Sequence, residues 1–335
     1  MAAYTTIDDP ELYFQTKLYT GNDSTNAQTL DGDENMQVDL VWVKRRTGAS
    51  GSMLFDNARA AGFIQSDATN AEQDGANYFV SLDSDGFTFE GSDNSNNENN
   101  ETYVAWCWKE SATAGFDIVS YTGNATSDTS ISHSLSAVPK TIFIKNRSTA
   151  GAWMVYHEGL GYNSGTIPRF LQLDNTNAQN NGGSGDFPAP PTSSVFKVGS
   201  YDTMNKSGDG IIAYCFAEKQ GFSKFGTYTG NGSATSGPFI YTGFRPAMVI
   251  TKEKSGTGHW RIRDNKRSTY NTVGIVSHAN ATTADTTEDN TDFLSNGFKL
   301  YTSGGENNGS GDTYCYWAWA EQPFVNSEGV PCNAR

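Results

Sequence analysis

Residues 19–22 read Tyr19-Thr20-Gly21-Asn22, and the same four residues return as Tyr121-Thr122-Gly123-Asn124 and as Tyr228-Thr229-Gly230-Asn231. A period of about 105 residues is the signature of a repeated unit of domain size. Working outward, an apolar run closed by lysine follows each copy: Leu40-Val41-Trp42-Val43-Lys44, Thr141-Ile142-Phe143-Ile144-Lys145 and Met248-Val249-Ile250-Thr251-Lys252. Each third then ends on another shared run: Tyr103-Val104-Ala105-Trp106-Cys107-Trp108, Ile211-Ile212-Ala213-Tyr214-Cys215-Phe216 and Tyr314-Cys315-Tyr316-Trp317-Ala318-Trp319. These runs are short, rich in β-branched and aromatic residues, and bounded by Gly, Asn and Ser, which is the pattern of strands. The expectation is an all-β chain of three tandem β-sandwich repeats.

The boundaries follow from the landmarks: an N-terminal arm over 1–12, repeats over 13–112, 113–220 and 221–322, and a C-terminal strap over 323–335. The linkers Lys109–Ala114 and Glu218–Gly221 are too short to let the units swing, so one stiff body is expected. Asp85-Gly86 and Asn296-Gly297 hold equivalent places and suit a type I′ hairpin turn. Repeat two has Ser194-Val195-Phe196 there, after Phe187-Pro188-Ala189-Pro190-Pro191, so its connection must be rerouted. The only candidate for a short helix is the segment 56–71. In the closing runs, Trp106 and Trp108, Tyr214 and Phe216, and Trp317 and Trp319 share one face of their strands. Small residues such as Ala105 and Cys107 share the other. We expect the large face to fill each sandwich core and the small face to let a further layer approach.

Composition narrows the function. The chain has 335 residues, 35 of them Gly; it is 13% aromatic and 18% charged, with a formal charge of -14. Such a charge repels phosphate backbones and anionic lipid, which argues against nucleic acid and membrane partners. No apolar run reaches the length of a membrane span. Met1–Pro10 lacks the basic and apolar regions of a signal peptide, so synthesis and assembly in a host cytosol are expected. Cys107, Cys215, Cys315 and Cys332 form no CxxC pair and read as reduced packing residues.

Chemistry is sparse. The sequence has no G-x-S-x-G, H-E-x-x-H, P-loop or dinucleotide fingerprint. His133, His157, His259 and His278 share no repeat position. The acid-rich stretches, Asp31 with Asp33, Asp83 with Asp85, and 93–100, do not match a calcium loop and read as turns. No catalytic residue, metal site or cofactor is therefore assigned, and the chain is read as no enzyme. Two tryptophans stand out: Trp153 and Trp260 each lie eight residues after the repeat lysine, where repeat one has Ser52. They are the candidate glycan-stacking plates, the alternative being inward residues of a neighbouring strand.

The opening Tyr4-Thr5-Thr6-Ile7-Asp8-Asp9-Pro10 with Tyr13-Phe14-Gln15-Thr16 resembles a widespread family of virion structural proteins in tailed phages of marine bacteria. So do Gly115-Phe116 through Asn124 and Val138-Pro139-Lys140 through Arg147. The ending, Ala320-Glu321-Gln322-Pro323-Phe324-Val325 with Gly329-Val330-Pro331 through Arg335, is similar to that family's terminus. The resemblance covers essentially the whole chain. It implies jelly-roll sandwiches of concanavalin or SPRY type, lectin-like in fold, and a place on the virion surface. The function it implies is a tail-associated fibre, spike or host-surface adhesin. The alternatives are a capsid (head) decoration protein and a polysaccharide depolymerase. Expected partners are other virion proteins through the terminal segments, sister copies in a homo-oligomer, and a host surface glycan.

Overall fold

A computed structural model describes residues 3–288 and 290–333. The chain is nearly all β, in antiparallel sheets, and the same strand order is found in each third. In the first third a large sheet runs Phe14–Thr20, Thr102–Trp108, Leu40–Arg45, Met53–Asp56, Gly62–Gln65 and Gln73–Asp74. The second third runs Phe116–Thr122, Gly210–Phe216, Thr141–Asn146, Met154–His157 and Phe170–Leu171. The last runs Ser223–Thr229, Thr313–Pro323, Phe244–Glu253, Arg261–Asp264, Ile275–His278 and Thr286–Thr287. The landmark strands share a register: Lys44 stands opposite Val104, Lys145 opposite Ile212 and Lys252 opposite Cys315, each two residues before Trp106, Tyr214 or Trp317.

A smaller sheet covers one face of each large one. Asn26–Thr29, Gly86–Phe89 and Phe79–Asp83 form the first, and Phe239–Tyr241, Gly297–Leu300 and Thr291–Leu294 the third. Among the described residues the second has only Thr129–Ser132 and Val195–Val198. The buried Phe187 of the Pro-rich loop packs in that core in place of a strand, so the connection there does differ.

The large and small faces of the closing strands are assigned opposite to expectation. Ala105, Cys107, Val41 and Val43 face the small sheet, whose Phe79, Phe87 and Phe89 supply the bulk of that core. Ala213 and Cys215 do the same beneath Phe196 and Val198. The large faces instead turn to one another, and Trp106, Trp108, Phe143, Tyr214, Phe216, Trp317 and Trp319 lie in one core shared by all three units. Trp108, Phe216 and Trp319, one from each unit, meet with ring centroids 5.4, 5.5 and 6.4 Å apart. Beside them a wholly apolar cavity of about 30 Å³ is lined by Trp42, Trp153, Tyr214 and Ile250 among others.

Two smaller expectations are corrected. The hairpins at Asp85-Gly86 and Asn296-Gly297 turn through the residues before the glycine, since Asp83 pairs with Gly86 and Leu294 with Gly297. The glycines are needed because a Cβ would lie 1.9 Å from Gln28 O and 2.1 Å from Ile240 O; the loop residues Ser84, Asp85, Ser295 and Asn296 do not take the positive φ of a type I′ turn. Residues 56–71 hold the strand Gly62–Gln65 and no helix. The described part of the N-terminal arm is packed on the last unit: Thr5 and Ile7 are buried, Thr5 donates to Gln220 O (2.8 Å) and Tyr4 to Gly243 O (2.8 Å). Pro323 closes the last strand opposite Phe244, and Ser327 N donates to Asp8 (2.6 Å), so the two terminal segments lie together. No helix of the described residues is long and apolar enough to cross a membrane.

Candidate functional site

Contacts between the units recur in cyclic order. Trp106 Nε1 of the first unit donates to Asp264 of the third (3.0 Å), Tyr214 OH of the second to Asp56 of the first (2.6 Å), and Trp317 Nε1 of the third to Thr141 of the second (2.9 Å). Asp56 and Asp264 each hold an arginine three residues on, Arg59 and Arg267, with all four side chains removed from solvent. Each of these arginines also donates to a strand carbonyl, Leu54 O or Ile262 O. A buried ion pair needs such extra partners to offset desolvation. His157 takes the same register place in the second unit and packs its ring 4.8 Å from Trp317. Burial pushes its pKa down to about 3, so it is a neutral packing residue and no base at neutral pH.

The repeat lysines belong to the same system. Strand alternation puts Lys44 on the face of Trp42, toward the neighbouring unit. Lys44 Nζ donates to Ala281 O (2.8 Å), Lys145 Nζ to Thr69 O (2.9 Å) and Lys252 Nζ to Thr176 O (3.2 Å), each crossing a unit boundary. All three residues are fully buried, and desolvation lowers each pKa to about 8.

Trp153 and Trp260 are also part of this interior. Both have no solvent exposure, and their indole N–H groups donate to Gln65 O (2.8 Å) and Gln172 O (3.0 Å) of the preceding unit. Neither ring has a face free for a sugar, so the stacking assignment is corrected and the inward reading holds. Where the first unit has Ser52, Ser66 Oγ instead donates across to Ala279 O (2.7 Å).

The Tyr-Thr-Gly-Asn motif is a clasp. Tyr19, Tyr121 and Tyr228 donate to Asn96 O, Met204 O and Asn307 O. Asn97, Asn205 and Asn308, all buried, accept from the backbone N–H of Asn22, Asn124 and Asn231. A Cβ on Gly21, Gly123 or Gly230 would lie 2.2 Å from a backbone oxygen, which is why that position is glycine. The sequence reading missed the buried asparagines, yet each stands six residues before the start of its closing run.

The open surface of the second unit carries a groove floored by apolar side chains. Residues 183–187 and 199–202 are joined by Gly199 N to Asp186 O (2.6 Å) and Tyr201 N to Gly185 O (3.0 Å). The approach is close enough that a Cβ on Gly199 would lie 2.2 Å from the Gly185 carbonyl carbon. The groove between this wall and the large sheet has a volume of about 420 Å³ and is floored by Met154 and Phe170. Tyr201 rests ring atoms Cδ1, Cε1 and Cζ against Gly185 and leaves 55% of its surface in solvent. Gln172 and Asp186 also line the groove. Asp186 Oδ2 accepts from Gly183 N (3.1 Å), while Oδ1 has no hydrogen bond among the described residues. Burial raises its pKa.

Three of the four cysteines are enclosed. Burial raises the thiols of Cys107, Cys215 and Cys315. Among the described residues no three His, Cys, Asp or Glu side chains gather as a metal site.

In comparisons with known proteins, the model of a family described as Domain of unknown function (DUF7483) matches residues 9–323. No curated protein and no solved structure matches the chain.

Proposed function

The chain belongs to the family described as Domain of unknown function (DUF7483), whose model covers nearly all of it, and we propose that it is a non-catalytic structural protein of a tailed-phage virion surface. In this reading it is tail-associated, as a fibre, spike or host-surface adhesin, and is assembled in the host cytoplasm. It is built as three tandem copies of one sandwich unit. The observation that carries the proposal is the shared aromatic core closed by cyclic contacts between units. A core of that kind makes a rigid block with no hinge, as a particle component requires. The sequence landmarks at both ends supply the link to phage virions. The buried His157 and the buried cysteines argue against acid–base or thiol chemistry inside the block.

The corner where Asp8 meets Ser327 is the proposed attachment to other virion proteins or to sister copies in a homo-oligomer. Tethering at one corner also suits a head decoration protein, and this is the second reading. Antibody labelling of intact virions separates the two: label on the tail supports the first, label on the head the second. Failure to find the chain in purified particles by mass spectrometry would refute both.

A further inference from the structure

We propose that the Tyr201 groove of the second unit is a binding site for a neutral sugar ring. The proposal rests on the surface-protein reading for its biological use, but its physical case is independent of where the protein sits.

A pyranose has one C–H-rich face and a rim of hydroxyls. The first is matched by an exposed aromatic ring, because the ring's negative face attracts polarised C–H groups while both apolar surfaces leave water. Tyr201 offers such a ring, braced from behind by Gly185 and therefore ordered before a ligand arrives. A fixed plate costs less ordering entropy on binding than a free side chain. Met154 and Phe170 extend the apolar area below it. For the hydroxyl rim, Asp186 presents an oxygen without a hydrogen bond among the described residues, in a residue only 7% exposed. Gln172 adds a side-chain amide, and its backbone is held in place because its carbonyl accepts from Trp260 Nε1. A few convergent polar groups around an apolar floor are the ordinary make-up of a small-ligand site. Asp186 and Asp202 both carry negative charge at the groove, so uronic and other acidic sugars are disfavoured.

The site is particular to this unit. The Tyr201 position, four residues before the clasp asparagine, is Asp93 in the first unit and Gly304 in the third. Among the described residues the second small sheet alone lacks a third strand, and the loop in its place supplies Asp186.

The test is saturation-transfer NMR on the full chain with the methyl glycosides of glucose, galactose, mannose and N-acetylglucosamine, and with glucuronic acid. Transfer to ring C–H protons of at least one neutral glycoside, and none to glucuronic acid, is expected. Tyr201→Ala, at an exposed position that leaves the fold intact by circular dichroism, should weaken binding about ten- to thirtyfold. Tyr201→Trp should keep it, and Asp186→Asn should weaken it. No transfer to any neutral glycoside, equal binding of glucuronic acid, or a folded Tyr201→Ala variant that binds as wild type would each overturn the proposal. Virion location does not enter the assay, so a head position would refute the tail reading and leave this result standing.

Discussion

Replacing Trp317 by Ala tests whether the three units are one cooperative body. Trp317 has no solvent exposure and stands among Trp260, His157 and Phe143, with centroids 4.9, 4.8 and 6.0 Å away. Truncating a buried large aromatic costs about 3–5 kcal/mol. The lost indole N–H leaves Thr141 Oγ1 still bonded to Tyr156 O (2.8 Å), so the orphaned-partner penalty is small. How that cost appears in a melt depends on how much of the chain unfolds together. At about 2.1 cal/mol/K of unfolding entropy per residue, the whole chain carries about 0.7 kcal/mol/K, and the melting temperature should fall by about 4–7 °C. A unit of about 100 residues melting alone carries about 0.2 kcal/mol/K, and its share of the transition should fall by about 15–25 °C. The shared core requires the first outcome, read by differential scanning calorimetry as one transition shifted as a whole. A biphasic trace, with roughly a third of the enthalpy displaced and the rest unmoved, would refute the shared core. Trp317→Phe keeps most of the ring and should cost about 1–2 kcal/mol.

Three further expectations follow from the same contacts. Lys44, Lys145 and Lys252 lose their protons near pH 8 when folded but near their ordinary 10.5 when unfolded, so the unfolded chain binds more protons above pH 8 and stability rises with pH there. The buried thiols, raised in the fold, oppose this above their ordinary 9.0, so urea midpoints should climb between about pH 8 and 9 and then level; a midpoint that falls across that window would contradict the buried lysines. Asn205→Ala removes bonds to Gly199 O (2.7 Å), Thr126 O (2.9 Å) and from Asn124 N (2.9 Å) and should cost about 2–4 kcal/mol in urea titration, with an unchanged midpoint counting against the clasp. Ile7→Ala, at a residue 3% exposed in the shared core, should cost about 2–3 kcal/mol; no loss would mean the arm is only a surface appendage.

Local patterning made the strands legible. Leu40-Val41-Trp42-Val43-Lys44 and its two counterparts have strand composition and strand boundaries, and no competing helical period. The faces of those strands were legible too, but their direction was not. Alternation separates Trp106 and Trp108 from Ala105 and Cys107, yet says nothing about which face meets its own small sheet and which meets another unit. That choice is made by residues far along the chain: Phe79, Phe87 and Phe89 fill the first sandwich core, and Tyr214 and Trp317 wait on the other side. Trp153 and Trp260 misled for the same reason. Their absence from the first unit looked like a variable surface site, whereas there Ser66 crosses to the third unit instead, donating to Ala279 O. The Tyr201 groove left no motif, because it is formed by the missing third strand of a small sheet and by two glycines in contact, Gly185 and Gly199.

These constraints say where such a chain can vary. The large-sheet inner faces are committed: the repeat lysines, Trp106, Trp153, Tyr214, Trp260 and Trp317 each donate a hydrogen bond to another unit, so a change in one unit must be matched in another. The small sheets face only their own unit and solvent. Loss of a strand there removes no contact between units, and the second unit shows it, with Phe187 taking the vacated core position. The consequence is an exposed aromatic on an otherwise polar rim, supported on a body too rigid to close over a ligand. A site of that kind binds weakly and by contact with one face of its target. Function at useful strength then requires several copies side by side, where linked sites raise avidity by about 10²–10⁴ without new contacts. For an isolated chain, binding through Tyr201 should therefore be saturable only at high sugar concentration, while the same chain arrayed on a bead or particle should hold a glycan-coated surface. Array-dependent retention that survives Tyr201→Ala would place the adhesive surface elsewhere, and retention by neither form would favour the decoration reading.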